Sequence, residues 1–285
     1  LFRSGPIADL RFEGGERLDD GRTRFGAPEG PRALVGGPLE LVAASNGAPA
    51  GVLLDGDSAL QVDEIGPWGP ADPFTLELTL TIPEGLRDGV LVHRTGGTDV
   101  GYFGFDLCLV DGYLRARQVR FWPGNAAAVV SEERVPTGRP VRLVFAQDGT
   151  GWAEGMKLWV DGEAGQEELV DSLTKPPGIG GKGLSVGARF RGVGIAGGVV
   201  HRLRRWDRCL DAFGVGRALD QAHGLGDGGL LRDDARAAAA RHLAHRAERL
   251  TGLRRALAGA RKALLQATMP VLEVPVMAEA PWAEP

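Results

Sequence analysis

The chain has 285 residues, 43% of them hydrophobic and 25% charged, with a formal net charge of −4. That balance excludes an intrinsically disordered chain and gives no support to nucleic-acid binding by the chain as a whole. Its 44 glycines and 18 prolines suit many short strands joined by tight turns. No apolar run approaches the roughly 20 residues that a membrane-spanning helix needs. The chain opens LFRSGPIADLRF, without a basic stretch followed by an apolar one. No signal peptide is therefore expected in it, which leaves a cytosolic protein or a piece of a longer exported one.

Strand signals run through residues 1–230. They fall at 8–12, 51–54, 59–62, 74–82, 89–93, 102–110, 113–121, 127–135, 141–146, 156–160, 183–188 and 198–206. The clearest pair is RPVRLVFAQDGTGWAEGMKLWVDG. There Val141, Leu143 and Phe145, then Met156, Leu158 and Val160, put apolar residues at every second position, as a strand with one face on a core requires. Asp55-Gly56, Asp111-Gly112, Pro123-Gly124, Asp148-Gly149 and Asp161-Gly162 supply turns; Asp-Gly suits a hairpin whose two central residues take positive φ. Strands without interleaved helices predict an antiparallel sandwich with a core over about 7–211 and a short helix over about 212–221. Cys108 and Cys209 both fall in predicted strands. They read either as two small buried hydrophobes or as one inter-strand disulfide, and the sequence leaves both open.

From 231 to 268 the chain changes character. Leu243, Leu250, Leu257 and Leu264 recur every seven residues beside Leu253, one apolar stripe on a long helix that Pro270 stops. Between Arg232 and Lys262 it holds nine Lys/Arg against three acids, whereas residues 1–230 hold 24 Lys/Arg against 31 acids. A basic helix on an acidic body, with its leucines packed, predicts that Leu250 and Leu257 are buried. Residues 269–285 read as an extended Pro-rich linker towards a flanking domain.

Several stretches resemble laminin-G-like domains of the concanavalin A-like lectin and glucanase superfamily. These are the KLWVDG hairpin, LLDGDSALQVDE followed by DPFTLELTLTIPEG, and VVHRLRRWDRCLDAFGVGRAL, which is similar to their last strand and following short helix. The turn FWPGN with AAAVVS, and the tail VPVMAEAPWAEP, resemble the insert of this type in large planctomycete proteins that also carry a cytochrome c-like domain. The resemblance implies an all-β concanavalin A-like jelly-roll sandwich of two antiparallel sheets, here followed by the long helix, within an exported (periplasmic or extracellular) multidomain protein. Where the family pattern has Ile-Asp-Glu-Leu, this chain has Val200-His201-Arg202-Leu203. A His-Arg pair is a poor ligand for a hard cation, which puts a calcium site there in doubt.

Enzymatic signals are missing. A glucanase on this scaffold needs paired carboxylates, expected as E-x-D-x-x-E on one strand, and no such run occurs. The five histidines, His93, His201, His223, His242 and His245, are scattered and lack zinc spacing. Aromatic rings on loops offer stacking faces for the CH groups of a pyranose. Trp68, Trp122 and Trp152, with Asn125 of the WPGN turn, are the candidate ligand-binding residues. Each has a plainer reading as a core or loop anchor. Asp55, Asp57 and Asp99 are candidate Ca²⁺ ligands, with Asp106 a fourth loop acid, against the plainer reading of solvated or capping acids. The reading is a non-catalytic module that recognises polysaccharide or another glycan. The alternative is a spacer that orients flanking domains.

Overall fold

The computed structural model describes residues 5–26, 30–35, 40–45, 47–63, 65, 68–69, 71–98, 101–122, 125–171, 183–189, 192–212, 214–216 and 218, and eleven positions between 252 and 267. In chain order the strands are β1 (Ala8–Arg11), β2 (Glu16–Arg17), β3 (Thr23–Gly26), β4 (Arg32–Val35), β5 (Glu40–Val42), β6 (Gly51–Leu53), β7 (Leu60–Asp63), β8 (Phe74–Thr81) and β9 (Gly89–Thr98). They continue as β10 (Gly101–Val110), β11 (Tyr113–Trp122), β12 (Asn125–Arg134), β13 (Pro140–Gln147), β14 (Met156–Val160), β15 (Glu163–Ala164), β16 (Gln166–Asp171), β17 (Leu184–Val186) and β18 (Val199–Trp206). Among the described residues they form two antiparallel sheets. The eight-stranded sheet runs β15-β14-β13-β8-β18-β6-β5 with β1 also on β18, and the ten-stranded sheet runs β16-β12-β11-β10-β9-β17-β7-β4-β3-β2.

Period-2 alternation builds the core between them. Leu76, Leu78 and Leu80 of β8 and Leu143 and Phe145 of β13 face Phe105, Leu107 and Leu109 of β10 and Leu114 and Ala116 of β11, all buried. Each fully buried Leu or Phe contributes about 1.5–3 kcal/mol. At one end Phe74, Phe105 and Phe145 meet with ring centroids 5.1–6.4 Å apart. The expected Asp-Gly turns take the expected shape: Asp111 and Gly112 have φ of 49° and 82°, and Asp161 and Gly162 have 51° and 94°.

The outer face of the eight-stranded sheet is also covered. Arg204 of β18 grips Glu77 of β8 through Nε (2.9 Å) and Nη2 (2.6 Å), and Nη2 also donates to the Ala218 carbonyl at 3.0 Å. Leu210, Val215 and Ala218 close over Val144, Ala146, Trp159 and Trp206. Asp211 starts this short helix by accepting from Gly214 N at 2.8 Å. The expected short helix is therefore present, with helical residues between 212 and 218.

Other expectations need correction. Strands β2 to β5, β15 and β16 lie outside the expected ranges: β2 to β5 and β15 are two to four residues long and leave little periodic signal. β16 reads QEELVD, acids that suit an edge strand but resemble a loop. Cys209 lies beyond β18, not in a strand, and no disulfide joins it to Cys108. Most of the proposed helix 231–268, including Leu243 and Leu250, and all of the linker 269–285 lie outside the described residues. Described positions from 252 to 267 are helical, but Leu253, Leu257 and Leu264 are 60%, 48% and 64% exposed. The described contact with the sandwich is polar: Arg261 donates to the Asp148 carbonyl and places Nη2 3.6 Å from its carboxylate.

Candidate functional site

Strand register places the residues singled out from sequence. Trp68 is half-buried against the core; its ring lies 5.0 Å from Phe74 and 5.4 Å from Phe105. The guanidinium of Arg205 stacks on it at 4.0 Å and that of Arg94 at 5.4 Å. Arg205 also donates to the Ile65 carbonyl at 2.8 Å, so it ties the final strand to the loop carrying Trp68. Trp122 ends β11 opposite Tyr102, and Asn125 starts β12 opposite Phe121, at the same end of the sandwich. The Trp122 side chain, and Asp99, lie outside the described residues.

Trp152 is 54% exposed in the turn between β13 and β14, also at that end. The turn is built by Asp148, whose Oδ1 accepts from Thr150 N (2.8 Å) and Thr150 Oγ1 (2.6 Å). Asp55 and Asp57 sit after β6, at the opposite end, because Leu53 pairs with Val199 and Val199 with Thr81. Asp55 Oδ1 accepts from Asp57 N (2.8 Å) and Ser58 N (2.7 Å), and these backbone bonds hold its pKa below the usual carboxylate value. Among the described residues no three His, Cys, Asp or Glu side chains gather as a metal site would require. His201, where the family pattern has Asp, is buried and bridges Ala50 O (3.0 Å) and Thr81 Oγ1 (2.9 Å).

Asp106 is not a loop acid. It stands in the middle of β10, and the register sets His93 of β9 on one side and Arg117 of β11 on the other. Its neighbours Phe105 and Leu107 point into the core, so Asp106, Cys108, Arg115, Arg117 and His93 share the outward face of the ten-stranded sheet. The row extends through Ser185 of β17 to Gln61 of β7, with Ser185 Oγ 3.1 Å from Gln61 Oε1.

Asp106 is fully buried and its oxygens are saturated. Oδ1 accepts from Arg117 Nε at 2.8 Å; Oδ2 accepts from Arg117 Nη2 at 2.5 Å and from Arg189 Nη1 at 2.6 Å. Arg189 arrives from the segment after β17, so the carboxylate joins strand and loop. Both guanidinium groups lie over the Tyr102 ring, Arg189 at 5.0 Å and Arg117 at 5.6 Å. Burial pushes the His93 imidazole down to about 4; the Arg189 charge adds to this and Asp106 opposes it. His93 is therefore neutral at pH 7 and shares a hydrogen bond with Thr95 Oγ1 at 2.9 Å. Burial likewise pushes the Cys108 thiol up to about 12, with the Asp106 charge adding to it, so no thiolate forms there near neutrality.

The other outward acids are distant. Asp63 on β7 and Glu167 on β16 are each three strands from Asp106, about 14 Å at roughly 4.8 Å per strand step. Carboxyl pairs of glycosidases stand roughly 5–9.5 Å apart. The cluster was legible in part from sequence: the Asp111-Gly112 turn pairs Val110 with Tyr113 and so Asp106 with Arg117. Arg189 carries no such signal, because its approach depends on the long-range pairing of β17 with β9.

By sequence, no protein-family model and no curated protein matches the chain. By structure it is similar to the binding domain of botulinum neurotoxin serotype G, with a TM-score of 0.56, 11% identity and cover of 76% of this chain and 51% of that one. It is also similar to the HCR/D W1238A mutant (TM-score 0.54, 10% identity, 76% of this chain and 52% of that one). A Trypanosoma rangeli sialidase bound to 2,3-difluorosialic acid matches with a TM-score of 0.54 and 15% identity over 79% of this chain and 34% of that one. What the likeness shows is the fold, a sandwich of two antiparallel β-sheets. The chain spans about half the length of the first two structures and about a third of the sialidase.

Proposed function

We propose that the chain is a non-catalytic module that recognises carbohydrate, and that the outward face of the ten-stranded sheet is its binding surface. One observation carries this reading. The face bears a polar cluster in which buried Asp106 and Arg117 of adjacent strands hold the half-buried Arg189 of the segment after β17, beside Tyr102, through three short hydrogen bonds. Groups locked by such bonds are positioned more finely than free side chains, and fixed hydrogen-bonding groups beside an aromatic ring are what a sugar needs. Trp152 adds an exposed ring at the end of the sandwich. Support for a binding role over hydrolysis comes from the carboxylates: Asp106 is consumed by two arginines, and the outward acids Asp63 and Glu167 are too far from it to act as a pair.

The sequence resemblance extends the proposal to a laminin-G-like module within a larger exported protein of the planctomycete type. A second reading, a spacer that orients neighbouring domains, is favoured by the outward leucines 253, 257 and 264, which would suit a flanking domain. Affinity electrophoresis of the folded chain through gels cast with neutral and acidic polysaccharides tests the first reading. Retardation by at least one polymer, with no reducing ends released on long incubation, is the expected result. Unchanged mobility in every gel overturns it and leaves the spacer.

A further inference from the structure

Among the described residues the cationic part of the outward face is not balanced. Arg115, Arg117 and Arg189 stand around one described carboxylate, Asp106, and both oxygens of that carboxylate are occupied by Arg117 and Arg189. Arg115 is next to Arg117 on the same face of β11, opposite Cys108. It is half-buried, its Nε is sealed from water without an acceptor, and among the described residues it has no hydrogen bond or ion pair. The neighbours around it are poor counter-ions. Cys108 is a neutral thiol, and Val130 of β12 is apolar. Glu167, beyond Val130 on β16, is two strands away, about 10 Å at roughly 4.8 Å per step.

A guanidinium placed this way is incomplete. Burial and the adjacent Arg117 charge both work against it, while Asp106 is already committed elsewhere. A half-buried cation without a partner is unfavourable unless an anion completes it. A planar guanidinium can present two parallel N–H groups to the two oxygens of a carboxylate, or to two of the oxygens of a tetrahedral sulfate.

We propose that Arg115 is the anchor of an oxyanion subsite, and that the saccharide taken by this face is acidic, carrying a carboxylate or sulfate group that pairs with Arg115. This rests on the carbohydrate reading above. Arg117 and Arg189, held by Asp106 and lying over Tyr102, supply the flanking positive field.

The test compares three soluble polymers in affinity gels: polygalacturonate for carboxylate, dextran sulfate for sulfate, and unmodified dextran for a neutral chain. The protein is net −4, so retention by a polyanion is not expected from overall charge. The expected result is retention by polygalacturonate or dextran sulfate but not by dextran. Which polymer retains the chain identifies the oxyanion, and Arg115→Gln should weaken that apparent affinity about tenfold or more. Arg115 has no hydrogen-bond or ion-pair partner among the described residues, so the variant should melt within about 2 °C of the parent, and Arg115→Lys should restore part of the affinity. Dextran retention alone overturns the oxyanion subsite and leaves carbohydrate recognition standing. Retention by none of the three in otherwise positive gels overturns the subsite also, and loss of all polysaccharide binding overturns both. Acidic-polymer binding that survives Arg115→Gln unchanged places the anion elsewhere and sinks the assignment.

Discussion

Replacing Asp106 with Asn should destabilise the sandwich far more than an ordinary polar substitution. The carboxylate is fully buried and takes three charge-assisted hydrogen bonds, two from Arg117 and one from Arg189. With its oxygen in the place of Oδ2, Asn keeps an acceptor for Arg117 Nη2 and Arg189 Nη1, but its amide nitrogen faces the Arg117 Nε donor, so one bond is lost and the other two lose their charge assistance. The lost bond costs about 1.5–3 kcal/mol. Leaving the guanidinium groups without their buried counter-charge costs about 3–5 kcal/mol. Taking about 4 kcal/mol, and about 2–4 °C per kcal/mol for a domain of this size, Tm should fall by roughly 8–16 °C. Urea unfolding followed by tryptophan fluorescence measures the free-energy loss directly, and calorimetry the Tm. Because the group is buried, about 1 M salt should leave most of the difference in place. Joint replacement, Asp106→Leu with Arg117→Met, should recover much of the loss, since removing a buried pair together is often near neutral. A single Asp106→Asn variant within about 1 kcal/mol of the parent would refute the argument that this carboxylate organises the face.

The His93 pKa is depressed to about 4 in the fold against about 6.5 unfolded, so the unfolded chain binds the proton first as pH falls. Its contribution is fully present above about pH 6.5 and is lost as pH falls towards 4, at no more than about 1.4 kcal/mol per pH unit. In His93→Gln the Tm profile should be flatter across that window, and identical profiles would show that other groups dominate. Gly104 has φ of +120°, and a Cβ there would stand 2.1 Å from the Arg94 carbonyl; Gly104→Ala should therefore lower Tm markedly and loosen the β9–β10 pairing in hydrogen exchange. Asp55 is engaged by the backbone of its own turn, so adding a chelator should leave Tm unchanged, and a large drop restored by Ca²⁺ would show a site that this turn does not explain. Leu257→Asp should leave stability within about 0.5 kcal/mol, as expected for an exposed side chain, and sedimentation should be unaltered unless that face meets another copy.

The parts of the fold legible in sequence are those specified locally. Val141, Leu143 and Phe145 alternate because one face of β13 is core, and the Asp-Gly pairs announce their turns because few other residues accept two positive φ values in succession. The first sheet strands were hidden because Glu16–Arg17 and Glu40–Val42 are too short and exposed to leave a pattern; tertiary pairing alone makes them strands. The site divides the same way. Asp106 and Arg117 pair through a local turn and were within reach of the sequence, but Asp106 resembled a loop acid when read without its partner. Arg189 and the burial of His93 arise from contacts between distant segments, which no local pattern encodes. Trp68 shows the converse: its position beside a loop suggested an open ring, whereas Arg205, from far along the chain, stacks on it.

The position of β18 governs when this domain can form during synthesis. It lies between β8 on one side and β6 and β1 on the other, so the last of the described strands is an interior strand of its sheet. Until residues 199–206 leave the ribosome, β1 has no partner in that sheet, and the inner edges of β6 and β8 stand open. Earlier segments can collapse but cannot close, and a nascent chain stopped before Trp206 exposes three unpaired edges to any neighbouring polysome product. Closure also joins Ala8 to Arg205 across the whole length of the domain, a contact that raises the separation of paired residues and slows folding. The fold thus completes in a single late step, when its carboxyl-terminal strand slides between elements made long before it.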